Sequence, residues 1–214
     1  MSEPADTLTR RQVARRGAFM DAATAVFLEK GYANATLDDI IARSGGSRQT
    51  LYSLFGGKQG LFETLLVERS NSIFNPFAAD QLLDRTPDEM LVDLATRYLE
   101  AVITPEALGI YRLIIAEGVF RKELAERFWQ IGPGRARALL AGYFERQTQR
   151  GVLRVQDPEQ VAQQFWGMLL GTFQMQCLLG LRDVPEPEEI QASVRTAVTC
   201  FLDGCRARAH SVSC

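Results

Sequence analysis

Four times in this 214-residue chain a capping residue, a proline and a carboxylate come together: Thr86-Pro87-Asp88-Glu89, Thr104-Pro105-Glu106, Asp157-Pro158-Glu159 and, more weakly, Glu186-Pro187-Glu188. Each reads as a helix start. The side-chain oxygen caps a free amide, proline sits where no amide partner is needed, and the carboxylate meets the positive end of the helix. Helices are therefore expected to begin near 87, 105, 158 and 187. Between these markers the apolar spacing is helical, as in Ile190, Val194, Ala197, Val198, Phe201, Leu202 and Cys205. Only Val152–Val155, between Gly151 and Pro158, reads as an extended connector. The expected fold is all-α, with about nine or ten helices and no internal repeat.

Composition matches an ordinary globular protein: 46% hydrophobic, 23% charged and a net charge of -2. The balance is uneven, because residues 1–60 hold eight basic against six acidic residues and the remainder 16 against 20. The first quarter is thus the better candidate for a polyanion face. Cys177, Cys200, Cys205 and Cys214 show no C-x-x-C pairing and no neighbouring histidines, so neither a metal site nor a cofactor is expected. Cys177 and Cys200 read as inert buried thiols or as redox sensors. The N-terminus lacks the apolar run of a secretory signal, and Phe165–Leu181 is interrupted by Gln174 and Gln176. A cytoplasmic protein without a membrane partner is expected.

The stretch from Gly31 to Phe62, GYANATLDDIIARSGGSRQTLYSLFGGKQGLF, has a mechanical reading. Gly31 closes a helix that turns Ala18, Ala22, Ala25, Val26 and Phe27 to a core. Thr36 caps a two-turn helix, with Asp39 completing a capping box and Leu37, Ile40 and Ile41 as its apolar face. Ser44-Gly45-Gly46 makes a tight turn and Ser47 caps the next helix. There Leu51, Leu54 and Phe55 face inward, leaving Arg48, Gln49, Thr50, Tyr52 and Ser53 outward or sideways. This is a helix-turn-helix whose second helix offers donors and acceptors to the major groove of double-stranded DNA.

The same string resembles the DNA-binding domain of the TetR family of repressors. The resemblance rests on Gly31-Tyr32, Thr36 running to Ile41-Ala42, Gly45-Gly46, Ser47 through Phe55, and Lys58 through Leu61-Phe62. It implies that Thr36, Tyr52 and Lys58 contact phosphate while Arg48, Gln49, Thr50 and Ser53 face the groove beside the cap Ser47. Gln49, where the family often carries glycine or alanine, is either an added base contact or a solvent-facing side chain. Arg10, Arg11, Arg15 and Arg16 are candidate backbone clamps. The division expected is residues 1–56 for DNA binding and 57–214 for a larger helical domain.

A palindromic operator needs two reading heads, hence a homodimer. The last two long helices are the candidate interface, through Phe165, Leu169, Phe173, Val194, Val198 and Phe201, with Gly167 and Gly171 allowing close approach. The family resemblance also implies a four-helix dimer interface from these two helices. Residues Tyr111 to Arg154 resemble the C-terminal domain of AefR-like members, which implies a pocket for a small apolar or amphipathic effector. Its candidate lining is Tyr98, Val102, Tyr111, Ile115, Phe128, Trp129, Phe144, Trp166 and Phe173. Glu117, inside the apolar IIAEGVF run, reads as a structural ion pair or a polar ligand contact.

Enzyme readings fail on their motifs. Gly56-Gly57-Lys58 lacks the leading glycine of a phosphate loop, since Tyr52 stands there, and Gln59 replaces its Ser or Thr. Gly132-Pro133-Gly134 opens a dinucleotide pattern that ends at Arg137 and follows no strand. The only histidine, His210, lies in what reads as a frayed C-terminal tail, so histidine-dependent catalysis is not expected. A helical ligand carrier would share the C-terminal domain but would not need the reading helix.

Overall fold

The computed structural model describes residues 10–77 and 85–205, so His210 and Cys214 lie outside the described residues. Ten α-helices and a 3-10 turn are described: α1 Arg10–Asn34, α2 Leu37–Ser44, α3 Arg48–Phe55, α4 Lys58–Phe74, the turn Asn75–Phe77, α5 Pro87–Val102, α6 Pro105–Gly118, α7 Lys122–Ile131, α8 Pro133–Gln149, α9 Pro158–Leu178 and α10 Pro187–Cys205. Four of them begin on the prolines that the caps marked. At α5 the Thr86 hydroxyl and the Glu89 carboxylate close a reciprocal capping box, and Asp157 accepts from the Gln160 amide at the start of α9. The 152–155 connector is as expected: Gly151 turns it at φ 71°, and Leu153 and Val155 are buried.

The described residues divide into two compact units, one running up to Arg69 with Arg112–Phe128, the other built from Ser70–Tyr111 and Trp129 onward. Compactness therefore does not divide the chain at 56/57. Most of α4 belongs with the first three helices, and α6 contributes residues to both units.

In the first unit α1 packs on α2 and α2 on α3 around an aromatic core. Phe27 stacks on Tyr32 and meets Phe62 edge-on, while Phe19 meets Phe55 edge-on. Gly31 breaks α1 at φ 74°, which ends the long helix where the sequence placed its stop. In the second unit α8 lies on α9 and α5 on α10, closing a core of Leu91, Leu94, Leu140, Phe144, Phe165 and Phe201.

That core settles the side-chain directions of the last two helices. Phe165, Leu169, Val194, Val198 and Phe201 were expected at a subunit interface, yet all are buried inside the single chain, and Phe173 is half-buried. The expectation is corrected at these five buried residues, because they already fill the chain's own core. The large apolar side chains that α9 leaves exposed are Met168 and Met175, followed by Leu179 just beyond its end.

Candidate nucleic-acid interface

The geometry of the reading head begins with two short helices locked at both ends. Thr36 caps α2 by accepting from the Asp39 amide at 3.1 Å, and its hydroxyl donates to Asp39 Oδ2 at 2.7 Å. Lys30 donates to the other oxygen of Asp39 at 2.6 Å. Lys30 first, and then the Thr36 bonds, hold the Asp39 carboxyl down at a pKa of about 2. Gly45 ends α2 in the left-handed region at φ 67°, which a β-carbon disfavours. A β-carbon on the next residue, Gly46, would lie 2.1 Å from Cζ of Phe19, so this turn needs glycine for room as well. Ser47 then caps α3 by accepting from the Thr50 amide, and Gly56 ends α3 at φ 71°.

Helix α3 buries Leu51 and Phe55 and exposes Arg48, Gln49, Tyr52 and Ser53, the division its spacing predicts. Leu54 and Thr50 are half-buried, and the Thr50 hydroxyl lies 2.8 Å from that of Ser47. Arg48 is engaged by a residue the sequence reading passed over: its Nη2 donates to Asp38 Oδ1 at 2.6 Å, and this carboxylate raises the guanidinium's pKa. Beside α3 lies a groove of about 700 Å³ bordered by Arg11, Arg15, Ser47, Gln49 and Ser53. Arg15 reaches across the turn to donate to the carbonyls of Ser44 and Gly45 at 3.2 and 3.0 Å.

Two residues that the family resemblance assigned to phosphate are engaged within the chain. The Thr36 hydroxyl serves the capping box. Lys58 Nζ donates to the carbonyls of Tyr32, Ala33 and Ala35 at 2.8, 3.3 and 2.9 Å and lies 4.7 Å from the Tyr32 ring centroid. Burial and the nearby Arg121 pull its pKa below the usual lysine value. Lys58 thus caps the end of α1, using all three ammonium donors. Of the arginine clamps, Arg10 and Arg11 are exposed, and Arg16 is paired with Glu68.

Glu117 is an ion-pair partner, meeting Arg121 at 3.1 Å and accepting from the Ala33 amide at 3.3 Å. The candidate effector residues are distributed unevenly. Tyr98, Val102, Phe144 and Trp166 are buried, and Tyr111, Phe128 and Phe173 are half-buried. Ile115 and Trp129 are 61% and 52% exposed. Cys177 is buried with its thiol 3.6 Å from the Asp183 carbonyl, while Cys200 is exposed. Among the described residues no cluster of three or more His, Cys, Asp or Glu forms a metal site.

A short capped helix that presents Arg48, Gln49 and Ser53 beside a cationic groove, held on a second short helix by a glycine turn, defines a helix-turn-helix DNA-binding regulator. Comparison with known proteins gives the family. Residues 19–65 match the family described as bacterial regulatory proteins, tetR family, and residues 89–205 match the AefR-like transcriptional repressor, C-terminal domain. The chain is 25% identical over 188 residues to the uncharacterized HTH-type transcriptional regulator YvkB of Bacillus subtilis (strain 168), covering 86% of this chain and 94% of that protein. Its fold is similar to that of a TetR-family transcriptional regulator from Mesorhizobium loti MAFF303099, with a TM-score of 0.78, 25% identity and coverage of 92% and 100%. It is also similar to the flavonoid-responsive regulator FrrA, with a TM-score of 0.70, 29% identity and coverage of 91% and 98%. The chain belongs to the TetR family of DNA-binding transcription regulators, which are not enzymes.

Proposed function

We propose that the chain is a repressor that binds a palindromic operator as a homodimer and is released by a small effector. The observation that carries this reading is the outward face of α3, where Arg48, Gln49 and Ser53 stand next to the groove edged by Arg11 and Arg15. Arginine and glutamine can grip guanine and adenine edges in the major groove, while cations at its margin meet the phosphates. Tyr52, 49% exposed on the same helix, is the remaining candidate for a phosphate contact.

Dimerisation is supported by the outer side of α9. Met168 and Met175, seven residues apart, are 47% and 57% exposed, and Leu179 beyond the helix end is 64% exposed. The two methionines stand on either side of the break in α9 at Gly171, and exposed apolar side chains there suit a partner surface packed against them. Effector control is supported by the match to the AefR-like repressor domain and by the likeness to FrrA, which is described as flavonoid-responsive. Such a ligand acts by preferring one of two conformations and so shifting the DNA-binding population.

The test is a footprint on the DNA flanking the gene. A palindromic footprint that Arg48→Ala and Tyr52→Ala both abolish is expected, with Met175→Glu converting the dimer to monomer in light scattering. Binding that is absent, or indifferent to salt and to Arg48→Ala, would instead favour a ligand carrier.

A further inference from the structure

A carboxylate stands on the reading face, where a polyanion is to bind. Asp38, in the first turn of α2, meets Arg48, the first residue of α3, with Oδ1 2.6 Å from Nη2. Both side chains are open to solvent, Asp38 at 73% and Arg48 at 58%. The other carboxylate of that turn, Asp39, is turned to Lys30 and to the Thr36 cap. An ion pair as exposed as Asp38 with Arg48 contributes little to stability. Facing DNA it carries a cost, since the carboxylate repels phosphate and subtracts from the attraction that Arg48 supplies.

The groups of duplex DNA that offset this cost are amino groups on base edges in the major groove. An ionised carboxylate only accepts, which narrows the match. Adenine sets its N7 acceptor beside its N6 amino group and so suits an amide, which donates as well as accepts. The N4 amino group of cytosine suits a carboxylate, and the two acceptors of guanine suit arginine. Asp38 and Arg48 together therefore carry the complement of two adjacent G·C pairs. Stacked base pairs are about 3.4 Å apart, comparable with the 2.6 Å between the two side-chain tips.

We infer that Asp38 is a second base reader, accepting from the N4 amino group of a cytosine one base step from the guanine that Arg48 grips. On other sequences the two side chains stay paired, and Asp38 sets its charge against the backbone. Binding the operator exchanges one ion pair for two base contacts, so α2 shares in discrimination with α3. This inference rests on the reading of α3 as the operator-reading helix and adds a specificity-determining residue to it.

The experiment is an in vitro selection of half-sites from randomised duplex DNA by the full chain and its Asp38→Ala, Asp38→Asn and Arg48→Ala variants. Affinities for the selected and for random-sequence duplexes are then measured by fluorescence anisotropy. Wild type is expected to select two adjacent G·C pairs. Arg48→Ala should relax one and Asp38→Ala the other, each losing about fivefold or more of its preference over the best competing base pair. Asp38→Asn should turn the second position from G·C to A·T, a change that loss of an ion pair alone does not produce. Both Asp38 variants should bind random-sequence DNA several-fold more tightly at low salt. Undiminished preference for the wild-type sequence in either Asp38 variant overturns the inference and leaves the operator reading standing. Relaxation of one and the same base pair by Arg48→Ala and Asp38→Ala also overturns it, because Asp38 would then act only by placing Arg48. If wild type selected no sequence, both readings would fall.

Discussion

Replacing Lys58 by methionine separates two roles that share one position. The substitution keeps an unbranched stem against Tyr32 and removes the ammonium, together with its bonds of 2.8, 2.9 and 3.3 Å to three carbonyls. A hydrogen bond from a charged donor contributes roughly 1.5–3 kcal/mol, and the cation over the Tyr32 ring about 0.5–1 kcal/mol more. Two terms reduce that sum. Lys58 is only half-buried, so water can take over part of the carbonyl bonding, and the cost of desolvating the ammonium disappears with it. The net loss expected is about 2–3 kcal/mol, which corresponds to a fall of about 4–12 °C in the melting temperature. Calorimetry of wild type and variant, with amide exchange at the end of α1 and the start of α2, reads the effect directly. A lysine serving DNA behaves differently: stability is unchanged, and the slope of log affinity against log salt falls by about one. Unchanged melting and exchange together with that lower slope would refute the cap.

Three further outcomes are expected. Gly46→Ala drives a β-carbon into the buried Phe19 ring, held edge-on by Phe55, so the reading head should lose about 1–3 kcal/mol in urea unfolding. Asp38→Asn releases Arg48 from its carboxylate, so binding to random-sequence DNA should strengthen and its salt slope steepen, while an unchanged slope would show the pair to be inconsequential. Asp39 has its folded pKa depressed from 3.8 to about 2, so its stabilisation is full above pH 4 and is lost as pH falls toward 2. An Asp39→Asn variant should show a flatter stability profile across that window and be less stable than wild type above it.

How much was readable beforehand depended on whether the signal was local. Caps and turns are: Thr36 with Asp39, Ser47 with Thr50 and the glycines after α2 and α3 lie within a few residues of what they control, so the reading head was legible in order and register. The direction of α9 was not, because Phe165, Trp166, Met168, Leu169 and Leu170 point nearly all round the helix. Periodicity cannot say which part of such a helix faces its own chain. Only the packing of α8 against it, with Phe144 meeting Phe165 and Phe201, assigns these rings inward and leaves Met168 and Met175 outward. The carbonyl partners of Lys58 were hidden for the same reason, since they lie 23 to 26 residues earlier in the chain.

The pairing of charges explains how a chain of net charge -2 presents a cationic surface. Within the reading head, Lys30 meets Asp39, Arg43 meets Glu29, Arg48 meets Asp38 and Arg16 meets Glu68, so these four carboxylates are each matched by a cation. Arg15 is different in kind. Its partners are the carbonyls of Ser44 and Gly45, which orient the guanidinium without cancelling its charge. It borders the same groove as Arg11, and among the described residues around that groove there is no carboxylate. The Arg15 charge is therefore held beside Gln49 and Ser53 by hydrogen bonds to the turn between α2 and α3. Arg48 stands on the opposite footing, since its exposed pair with Asp38 must be exchanged for a base edge before it can read sequence. Under the proposed function, attraction to DNA and discrimination among sequences would fall mainly to different arginines. Loss at the groove margin should weaken binding to all sequences alike, and loss of Arg48 should weaken binding to the operator more than to random-sequence DNA.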